Sequence, residues 1–310
     1  MKHVILIDPL KKLILKKDST LLFSKSLVDS KNDVFFLFRE DFCISNIDSY
    51  IDVSVPTFET GSSSEITCVK LDQTKVKVTS DVCFHMRLEP PFDTNYLRVL
   101  WMLKFIQSKG ARVINDPSGI MNFQEKIFPM EAQKTTPTAV IRSFEQFKVF
   151  AQNLPKEREF ILKPLDLFQG LGVTKVDISK FSDIEFVKLS NDFGGLLIVQ
   201  PYLKKIEHGE IRSTFYAGQE IGSILKTPPK GSFLANIAQG ASYEKINLKP
   251  NVRDECKRAA KFLNEKGVPW VAFDLLDGKI SEANTTCPGL IYETSVAHGE
   301  NLADKIVELI

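Results

Sequence analysis

The sequence has few of the residues that cross-link a protein or bind metals. Its five cysteines, at positions 43, 68, 83, 256 and 287, are an odd number, lie far apart and form no CxxC pair. We therefore expect reduced thiols and a cytoplasmic location rather than a disulfide framework. The four histidines show no spacing typical of metal ligands.

Long apolar runs and an excess of one charge are also missing. The N-terminal stretch "MKHVILIDP" has four consecutive apolar residues, which is too few for a signal peptide or a membrane span but suits a strand. Lys and Arg total 40 against 39 Asp and Glu, a net charge of +1, so the charge predicts neither nucleic acid nor a membrane as partner. With 310 residues and 43% hydrophobic content, we expect a globular chain of two or three domains.

Strand and helix signals alternate through about the first 120 residues. Apolar runs predict strands at 3–8, 33–39, 82–87 and 112–115, and residues 65–78 predict an antiparallel pair. Asp18 and Asp93 stand where helices would begin, and Gly110 stands where the second helix would end. This βαβ order predicts an α/β, Rossmann-like domain with a mostly parallel sheet covered by helices.

From about residue 122 the pattern changes to short strands and short helices. After Pro201 it becomes rich in strands, and it then predicts a helix, a hairpin and a final helix. This order is typical of small α+β units. We therefore divide the chain into an N-terminal domain (1–122), a central subdomain (123–200) and a C-terminal domain (201–310).

The hairpin signal "FDLLDGKISEANTTCPG", at 273–289, places polar residues in an otherwise apolar stretch. Asp277-Gly278 is a strong hairpin turn. A two-residue loop would place Asp274 and Glu282 on opposite faces, whereas a three-residue loop with a G1 bulge would place both with Asn284 on one face. Three oxygen ligands on one surface suit Mg²⁺. A surface hairpin with incidental acids is the alternative.

Lysines and glycines in two other stretches could contact phosphates. In "EFILKPLDLFQGLGV", Lys163 ends an apolar strand, and Gly170 and Gly172 follow in a loop whose backbone could approach phosphate oxygens. The pattern GxxxxGK[ST] is absent, so this is no Walker loop. In "NFQEKIF" we expect Lys126 on a helix. A plain strand exit and an exposed helix lysine are the alternatives.

Three further motifs have both a functional and a plain interpretation. "VQPYL", at 199–203, is a strand end whose backbone could read a flat base, or a linker. Glu210 and Arg212 share a strand face, as site residues or as a surface ion pair. Arg87, in "MRLEPPFD", ends a strand where open sheets bind ligands, and its guanidinium suits a carboxylate unless it pairs with a nearby acid.

The order of these motifs resembles that of the ATP-grasp ligases, and most closely that of the bacterial glutathione synthetases. The resemblance covers nearly the whole chain. It is carried by "KKDST", "MRLEPPFD", "NFQEKIF", "FILKPLD", "QPYL", "GEIR", "AFDLLDGKISEANTTCPG" and the spacing between them. It implies a Rossmann-like N-terminal substrate domain followed by a two-subdomain ATP-grasp fold, with a central lid subdomain and a metal site in the C-terminal domain.

The resemblance also implies an activity and a role for each motif. The enzyme would join γ-L-glutamyl-L-cysteine and glycine through an acyl phosphate, and it would be a dimer or a tetramer of identical chains. Two Mg²⁺ ions, or Mn²⁺ in their place, would be held by Asp274, Glu282 and Asn284. The implied ATP contacts are Lys126, Lys163, Gly170, Gly172, Gln200, Pro201, Tyr202, Leu203 and Glu210. Arg212, Lys226 and Asn284 would serve catalysis, and Arg87, Asp18 and Ser19 would bind the dipeptide.

Two segments depart from the family pattern. Leu167 and Gln169 stand where glycine is usual, and Lys226 and Leu234 stand where the lid normally carries arginine. We expect 167–172 and 227–241 to form a mobile lid that protects the acyl phosphate from water. The departures leave open a ligase for another acid and amine, for example an amino-acid or peptide-modifying ligase, and a nucleotide-binding module without turnover.

Overall fold

Three β-sheets form the fold in the computed structural model, which describes residues 1–61 and 65–310. The first sheet has the strand order β4-β3-β2-β1-β5-β6. Its parallel centre, β2-β1-β5-β6, confirms the α/β prediction. The elements of this part are β1 (Lys2–Ile7), α1 (Ser19–Asp29), β2 (Asp33–Phe38), β3 (Tyr50–Thr60), β4 (Ile66–Lys77), β5 (Val82–Arg87), α2 (Thr94–Ser108), β6 (Arg112–Ile114) and α3 (Pro117–Asn122).

The antiparallel pair predicted within 65–78 is wrong. Those residues form the single strand β4, which pairs with β3 along its length at the sheet edge. Sequence reasoning missed β3 because it contains Pro56, a residue that lacks the backbone N–H needed within a ladder.

The helix start and stop signals of the first part are confirmed. The Asp18 carboxylate accepts a hydrogen bond from Leu21 N at 2.8 Å, and Asp93 accepts one from Tyr96 N at 2.8 Å. Each satisfies one of the free N–H groups at a helix start. Gly110, with φ +99°, follows α2 in a conformation that glycine adopts without strain.

The second sheet is small, antiparallel and has its own core. Its order is β7-β10-β8-β9. Phe147, Phe160 and Phe186 lie at the centre of that core, between the sheet and its two helices. The elements are β7 (Ala139–Ile141), α4 (Phe144–Gln152), β8 (Glu159–Pro164), β9 (Thr174–Asp177), α5 (Asp183–Asn191) and β10 (Leu197–Pro201). The predicted α+β unit is confirmed.

The third sheet carries the hairpin, in the order β13-β12-β11-β14-β15. Phe215, Phe273 and Leu263 belong to a core between this sheet and α6. The elements are β11 (Glu210–Tyr216), β12 (Gln219–Thr227), β13 (Ser242–Lys245), α6 (Pro250–Glu265), β14 (Trp270–Leu276), β15 (Lys279–Asn284), α7 (Ile291–His298) and α8 (Leu302–Val307). Helix α8 was predicted, whereas α7 was not.

A single buried cluster joins the first and third sheets. Ile5 and Phe23 from the first part pack with Tyr216, Trp270 and Leu302 from the third. The rings of Phe23 and Trp270 meet edge-on, with centroids 5.1 Å apart. These two parts of the molecule therefore share a core, while the second sheet has its own.

The residues after α3 pack against the third sheet. Ala283 N donates to Glu125 O at 2.9 Å, and Phe128 lies in the core beneath that sheet. The domain boundaries near 122 and 200 stay a prediction. The shorter 3₁₀ turns are Leu10–Lys12, Leu15–Lys17, Arg39–Asp41, Phe128–Glu131, Lys204–His208 and Ile237–Gln239. Of the helices in the described ranges, none has the length and apolarity needed to span a bilayer.

Candidate active site

A cavity of about 790 Å³ is lined by residues of all three parts of the molecule. It brings together the predicted site residues Asp18, Ser19, Arg87, Lys126, Lys163, Gly170, Gln200, Pro201, Tyr202, Leu203, Glu210, Arg212, Lys226, Asp274, Glu282 and Asn284. Gly172 does not line it. A Cβ at Gly172 would lie 2.6 Å from the Phe193 ring, so this glycine permits close packing behind the loop.

The hairpin at one wall of the cavity has a two-residue turn. Asp277 and Gly278 have φ of +53° and +70°, the left-handed values that such a turn requires. A shift of register after Asp274 leaves Ser281 as a bulge. The Ser281 hydroxyl donates to Asp274 O at 3.0 Å. The structure thus combines the shorter loop with a bulge placed further along β15.

The bulge places the three oxygen-bearing side chains on one face. Asp274 lies opposite Glu282, and Asn284 lies opposite Ala272, two residues before Asp274. Because side chains alternate along a strand, these groups face the cavity together. Arg212 lies opposite Asp274 on the other side, so it shares the same face.

Asp274 is the centre of a buried charge network. Arg212 donates to it through Nε at 2.9 Å and Nη2 at 2.7 Å, Lys226 Nζ donates at 2.8 Å, and Asn284 Nδ2 donates at 3.1 Å. Burial alone would raise the pKa of Asp274, but the two cations outweigh it and hold the pKa below its usual range. The carboxylate is therefore ionised throughout the physiological pH range.

Glu210 extends this network towards the neighbouring strand. Its Oε2 accepts from Lys226 Nζ at 2.8 Å, so Lys226 contacts two carboxylates. Burial raises the pKa of Glu210, and the Lys226 ammonium opposes that shift. Lys226 remains charged, because Asp274 and Glu210 raise its pKa more than burial lowers it.

Two lysines of the cavity lining lie close to Glu282. Lys126 Nζ lies 3.4 Å from Glu282 Oε1 and donates to the backbone oxygens of Leu165 and Leu167 at 3.3 and 2.5 Å. Lys126 lies in a turn between α3 and a 3₁₀ turn, so the predicted helix there is wrong. Burial lowers the pKa of Lys163, and the charge of Glu282 opposes this.

The hairpin residues fit a divalent cation by their chemistry. Asp274 and Glu282 supply carboxylate oxygens, and the Asn284 amide oxygen is available because its nitrogen donates to Asp274 Oδ2 and Ala272 O. Oxygen ligands of this kind are those that Mg²⁺ selects. The cavity beside them is wide enough for a nucleotide.

Arg87 also lines the cavity. It is 3% exposed, stacks over Trp270 at 4.2 Å, and donates to Thr20 Oγ1 at 3.2 Å and Pro288 O at 3.0 Å. Its Nη1 has no hydrogen-bond partner among the residues that the structure describes. A buried guanidinium nitrogen without a partner favours a carboxylate ligand here. Nearby, Ser19 Oγ accepts from Ile291 N at 3.0 Å and so supports the start of α7.

Glu89 lines the cavity two residues after Arg87. Burial raises its pKa from 4.5 to about 7, although the Arg87 guanidinium opposes the shift. Because the folded protein holds this proton more tightly than the unfolded chain does, the neutral carboxyl adds to the free energy of unfolding. This contribution is complete below pH 4.5 and is lost as the pH rises through about 7. Allowing for water at this partly exposed group, we expect the free energy of unfolding to fall by about 2 kcal/mol across that interval relative to Glu89→Gln.

Urea unfolding of the wild type and of Glu89→Gln at about pH 5 and about pH 8 measures this difference. An equal pH dependence in the two proteins would show that Glu89 titrates normally.

The two segments predicted as a lid meet at the cavity. Gln239 Nε2 donates to Gln169 O at 3.4 Å, and Leu234 lies within 4 Å of the Cβ position of Gly170. Gln169 has φ +53°, a left-handed conformation uncommon for residues other than glycine. The loop thus keeps a glycine-like backbone at a position where the resemblance implies glycine. Mobility of the two segments stays a prediction.

Sequence reasoning missed two buried residues that hold the site together. Glu125 accepts from Thr285 N, Thr286 N and Thr286 Oγ1 at 2.7–2.9 Å. Asn115 donates to Trp270 O and Thr285 O, both at 2.7 Å. Both fix the segment that follows Asn284. The acid beside Lys126 in "NFQEKIF" was the available signal for Glu125.

Comparison with known proteins identifies the family. The model for the prokaryotic glutathione synthetase ATP-grasp domain matches residues 125–299, and the model for the N-terminal domain of the same enzymes matches residues 1–121. The chain belongs to the prokaryotic glutathione synthetase family. The resemblance inferred from the sequence is thereby confirmed. As a member, the chain is an ATP-grasp ligase, an ATP-dependent enzyme that forms amide bonds.

Relatives of this glutathione synthetase family member match over its full length. The glutathione synthetase of Prochlorococcus marinus subsp. pastoris is 25% identical over 311 residues, covering 99% of this chain and 98% of the relative. That of Vibrio parahaemolyticus serotype O3:K6 is 25% identical over 321 residues, covering 100% and 98%.

Solved structures share the fold at lower identity. The D-cycloserine synthetase DcsG superposes with a TM-score of 0.70 at 14% identity, covering 98% of each chain. The ATP-grasp ligase PsnB, in a complex with a variant of its minimal precursor, Mg and ADP, superposes with a TM-score of 0.64 at 14% identity, covering 99% of this chain and 96% of that one. The predicted ATP-grasp fold is confirmed.

Proposed function

We propose that this ligase is a glutathione synthetase, which joins γ-L-glutamyl-L-cysteine to glycine and releases ADP and phosphate. The observation that carries the proposal is the placement of Asp274, Glu282 and Asn284 on one face, beside four cationic side chains, in a cavity that Arg87 also lines. The family match and the names of the full-length relatives support it.

ATP occupies the part of the cavity between the second and third sheets. Lys126 and Lys163 contact its phosphates, with the backbone at Gly170 beside them. The adenine lies against residues 200–203, where β10 ends, and Glu210 accepts hydrogen bonds from the ribose hydroxyls. The buried cations supply charge that water would otherwise provide, already oriented before the phosphoryl group moves.

Asp274, Glu282 and Asn284 would hold two Mg²⁺ ions, with Mn²⁺ as an alternative, and such ions neutralise charge on the transferring phosphate. Without nucleotide, Arg212 and Lys226 donate hydrogen bonds to the Asp274 carboxylate. With nucleotide present, they contact the γ-phosphate from the same face of the sheet. Their role is positioning and charge stabilisation, so no side-chain nucleophile is required.

The acid substrate binds with its free carboxylate on Arg87 Nη1 and lies beside Asp18 and Ser19. Its reacting carboxylate takes the γ-phosphoryl group of ATP and becomes an acyl phosphate. The glycine amine then attacks the carbonyl carbon, and phosphate leaves. Segments 167–172 and 227–241, which meet through Gln239 and Gln169, exclude water while the acyl phosphate exists.

The partners we propose are the small-molecule substrates and, in a dimer or tetramer, further copies of this chain, in the cytoplasm. The five cysteines are free, and the net charge is near zero. Both facts support a cytoplasmic enzyme without a nucleic-acid or membrane partner.

An assay of phosphate release tests the proposal. With ATP, Mg²⁺, γ-glutamylcysteine and glycine, we expect phosphate and glutathione in equal amounts. When γ-glutamylcysteine or glycine is left out, we expect no phosphate release. Release only with another acid and amine would replace glutathione synthesis by a different ligation, for which Lys226 and Leu234 are the first residues to examine. Nucleotide binding without release for any pair would overturn ligase activity altogether.

A further inference from the structure

Two histidines and a cysteine that are far apart in the sequence meet in the first sheet. His3 on β1 lies opposite Cys83 on the parallel strand β5, and His85 follows on the same face. The His3 Nδ1 and His85 Nε2 atoms are 2.9 Å apart. One ligand atom from each of the three residues lies within 4.8 Å of the others. Spacing along the chain gave no sign of this cluster, because the sheet creates it.

The cluster is enclosed in an apolar core, apart from the nucleotide cavity. His3 is 2% exposed, and Cys83 and His85 are 0% exposed. Phe23 meets the His85 ring edge-on at 5.2 Å. His85 Nδ1 finds no hydrogen-bond partner within the described part of the chain. Since a buried polar atom without a partner is unfavourable, His85 keeps one ring nitrogen whose bonding capacity no described residue uses.

We propose that His3, Cys83 and His85 form a binding site for one soft monovalent cation, Cu(I) being the biological example. A soft thiolate ligand selects Cu(I) among other metals, and imidazole suits copper as well. On binding, the thiol proton leaves to the solvent and a metal–sulfur bond forms. The positive ion, the thiolate and two neutral imidazoles then sum to zero charge, which suits an apolar core.

Coordination number and charge both disfavour Zn²⁺. Structural zinc takes four ligands, and the described residues around this cluster supply three. Zn²⁺ with one thiolate would also leave a net positive charge. That charge would lie in the field of Arg87 and Arg112, which already acts on His85. Cu(I), which accepts three ligands, avoids both costs.

An anaerobic Cu(I) titration of the full-length chain, buffered by a chromogenic chelator, tests the site. We expect one tightly bound equivalent in the wild type, weakened by at least about 100-fold in Cys83→Ser and in His85→Gln. Cys256→Ser is the matched control. Its thiol is also 0% exposed but lies under the third sheet, and within the described part of the chain it belongs to no such cluster, so this variant should keep the tight site.

X-ray absorption of the copper-loaded wild type gives a second, independent readout. We expect one sulfur and two nitrogen neighbours. A copper shell of sulfur alone, or a tight site kept in Cys83→Ser, would overturn the proposal. So would a preference for Zn²⁺ over Cu(I) at equal free concentration. If circular dichroism shows that Cys83→Ser does not fold, the X-ray absorption spectrum of the copper-loaded wild type alone tests the proposed ligands.

Discussion

Replacing Glu282 by Gln is expected to abolish turnover and leave the fold intact. Glu282 faces Asp274 across the hairpin, and its only ion pair in the described structure is the 3.4 Å contact with Lys126. A pair this long and partly open to water contributes about 1 kcal/mol or less to stability. The glutamine side chain, however, has no negative charge with which to bind a metal cation or to pair with Lys126. We therefore expect the rate to fall by at least about 10²-fold, measured as phosphate release with ATP, Mg²⁺, γ-glutamylcysteine and glycine.

Asp277→Asn is the matched control for that experiment. It makes the same carboxylate-to-amide change in the same hairpin, and asparagine tolerates the φ of +53° found there. Asp277 contacts Lys205 at the surface, at 2.6 Å, outside the lining of the cavity. Its rate should match the wild type. A near-normal rate in Glu282→Gln would refute the proposed metal ligand.

Replacing Asp274 by Leu is expected to cause the largest loss of stability. Asp274 is 5% exposed and accepts hydrogen bonds from Arg212, Lys226 and Asn284. Without it, the largely buried Arg212 guanidinium loses its only direct ion-pair partner in the described structure. Breaking a buried pair in this way costs about 3–5 kcal/mol. The midpoint of urea unfolding, at an unchanged slope, measures the loss.

The double variant Asp274→Leu with Arg212→Met separates a lost attraction from a buried, unpaired charge. Because apolar residues of similar volume replace a buried ion pair at little cost, the second change should recover at least about half of the stability. Asp52→Leu, which breaks only the exposed pair between Asp52 and Lys75 on β3 and β4, should cost about 1 kcal/mol or less. If Asp274→Leu costs no more than Asp52→Leu, the buried network is not stabilised as described.

Helix ends and the hairpin turn could be predicted from the sequence, because each depends on residues that are close together in the chain. The Asp18 and Asp93 caps, the end of α2 at Gly110 and the turn at Asp277-Gly278 were all readable in this way. Strand β3 was not, since its proline obscures a pairing that depends on the neighbouring strand.

The hairpin shows where sequence reasoning stops. Its turn was predicted, but the bulge at Ser281 was not, because the bulge depends on contacts from outside the hairpin. Ile280 N donates to Lys134 O at 3.1 Å, and Thr136 N donates to Ile280 O at 3.4 Å. A segment about 145 residues earlier thus shapes the strand that carries Glu282. Likewise, only the register of two parallel strands brings His3 to Cys83.

The distribution of the cores determines how the enzyme can close over its substrates. The first and third sheets share a core that contains Phe23, Tyr216 and Trp270, so we expect them to move as one rigid body. The second sheet has its own core around Phe147 and Phe160, so we expect it to move as a separate body. We expect catalytic closure to combine a hinge movement of residues 139–201 with movement of the predicted lid segment 227–241, while Arg87 and the hairpin that carries Asp274 and Glu282 keep a fixed separation.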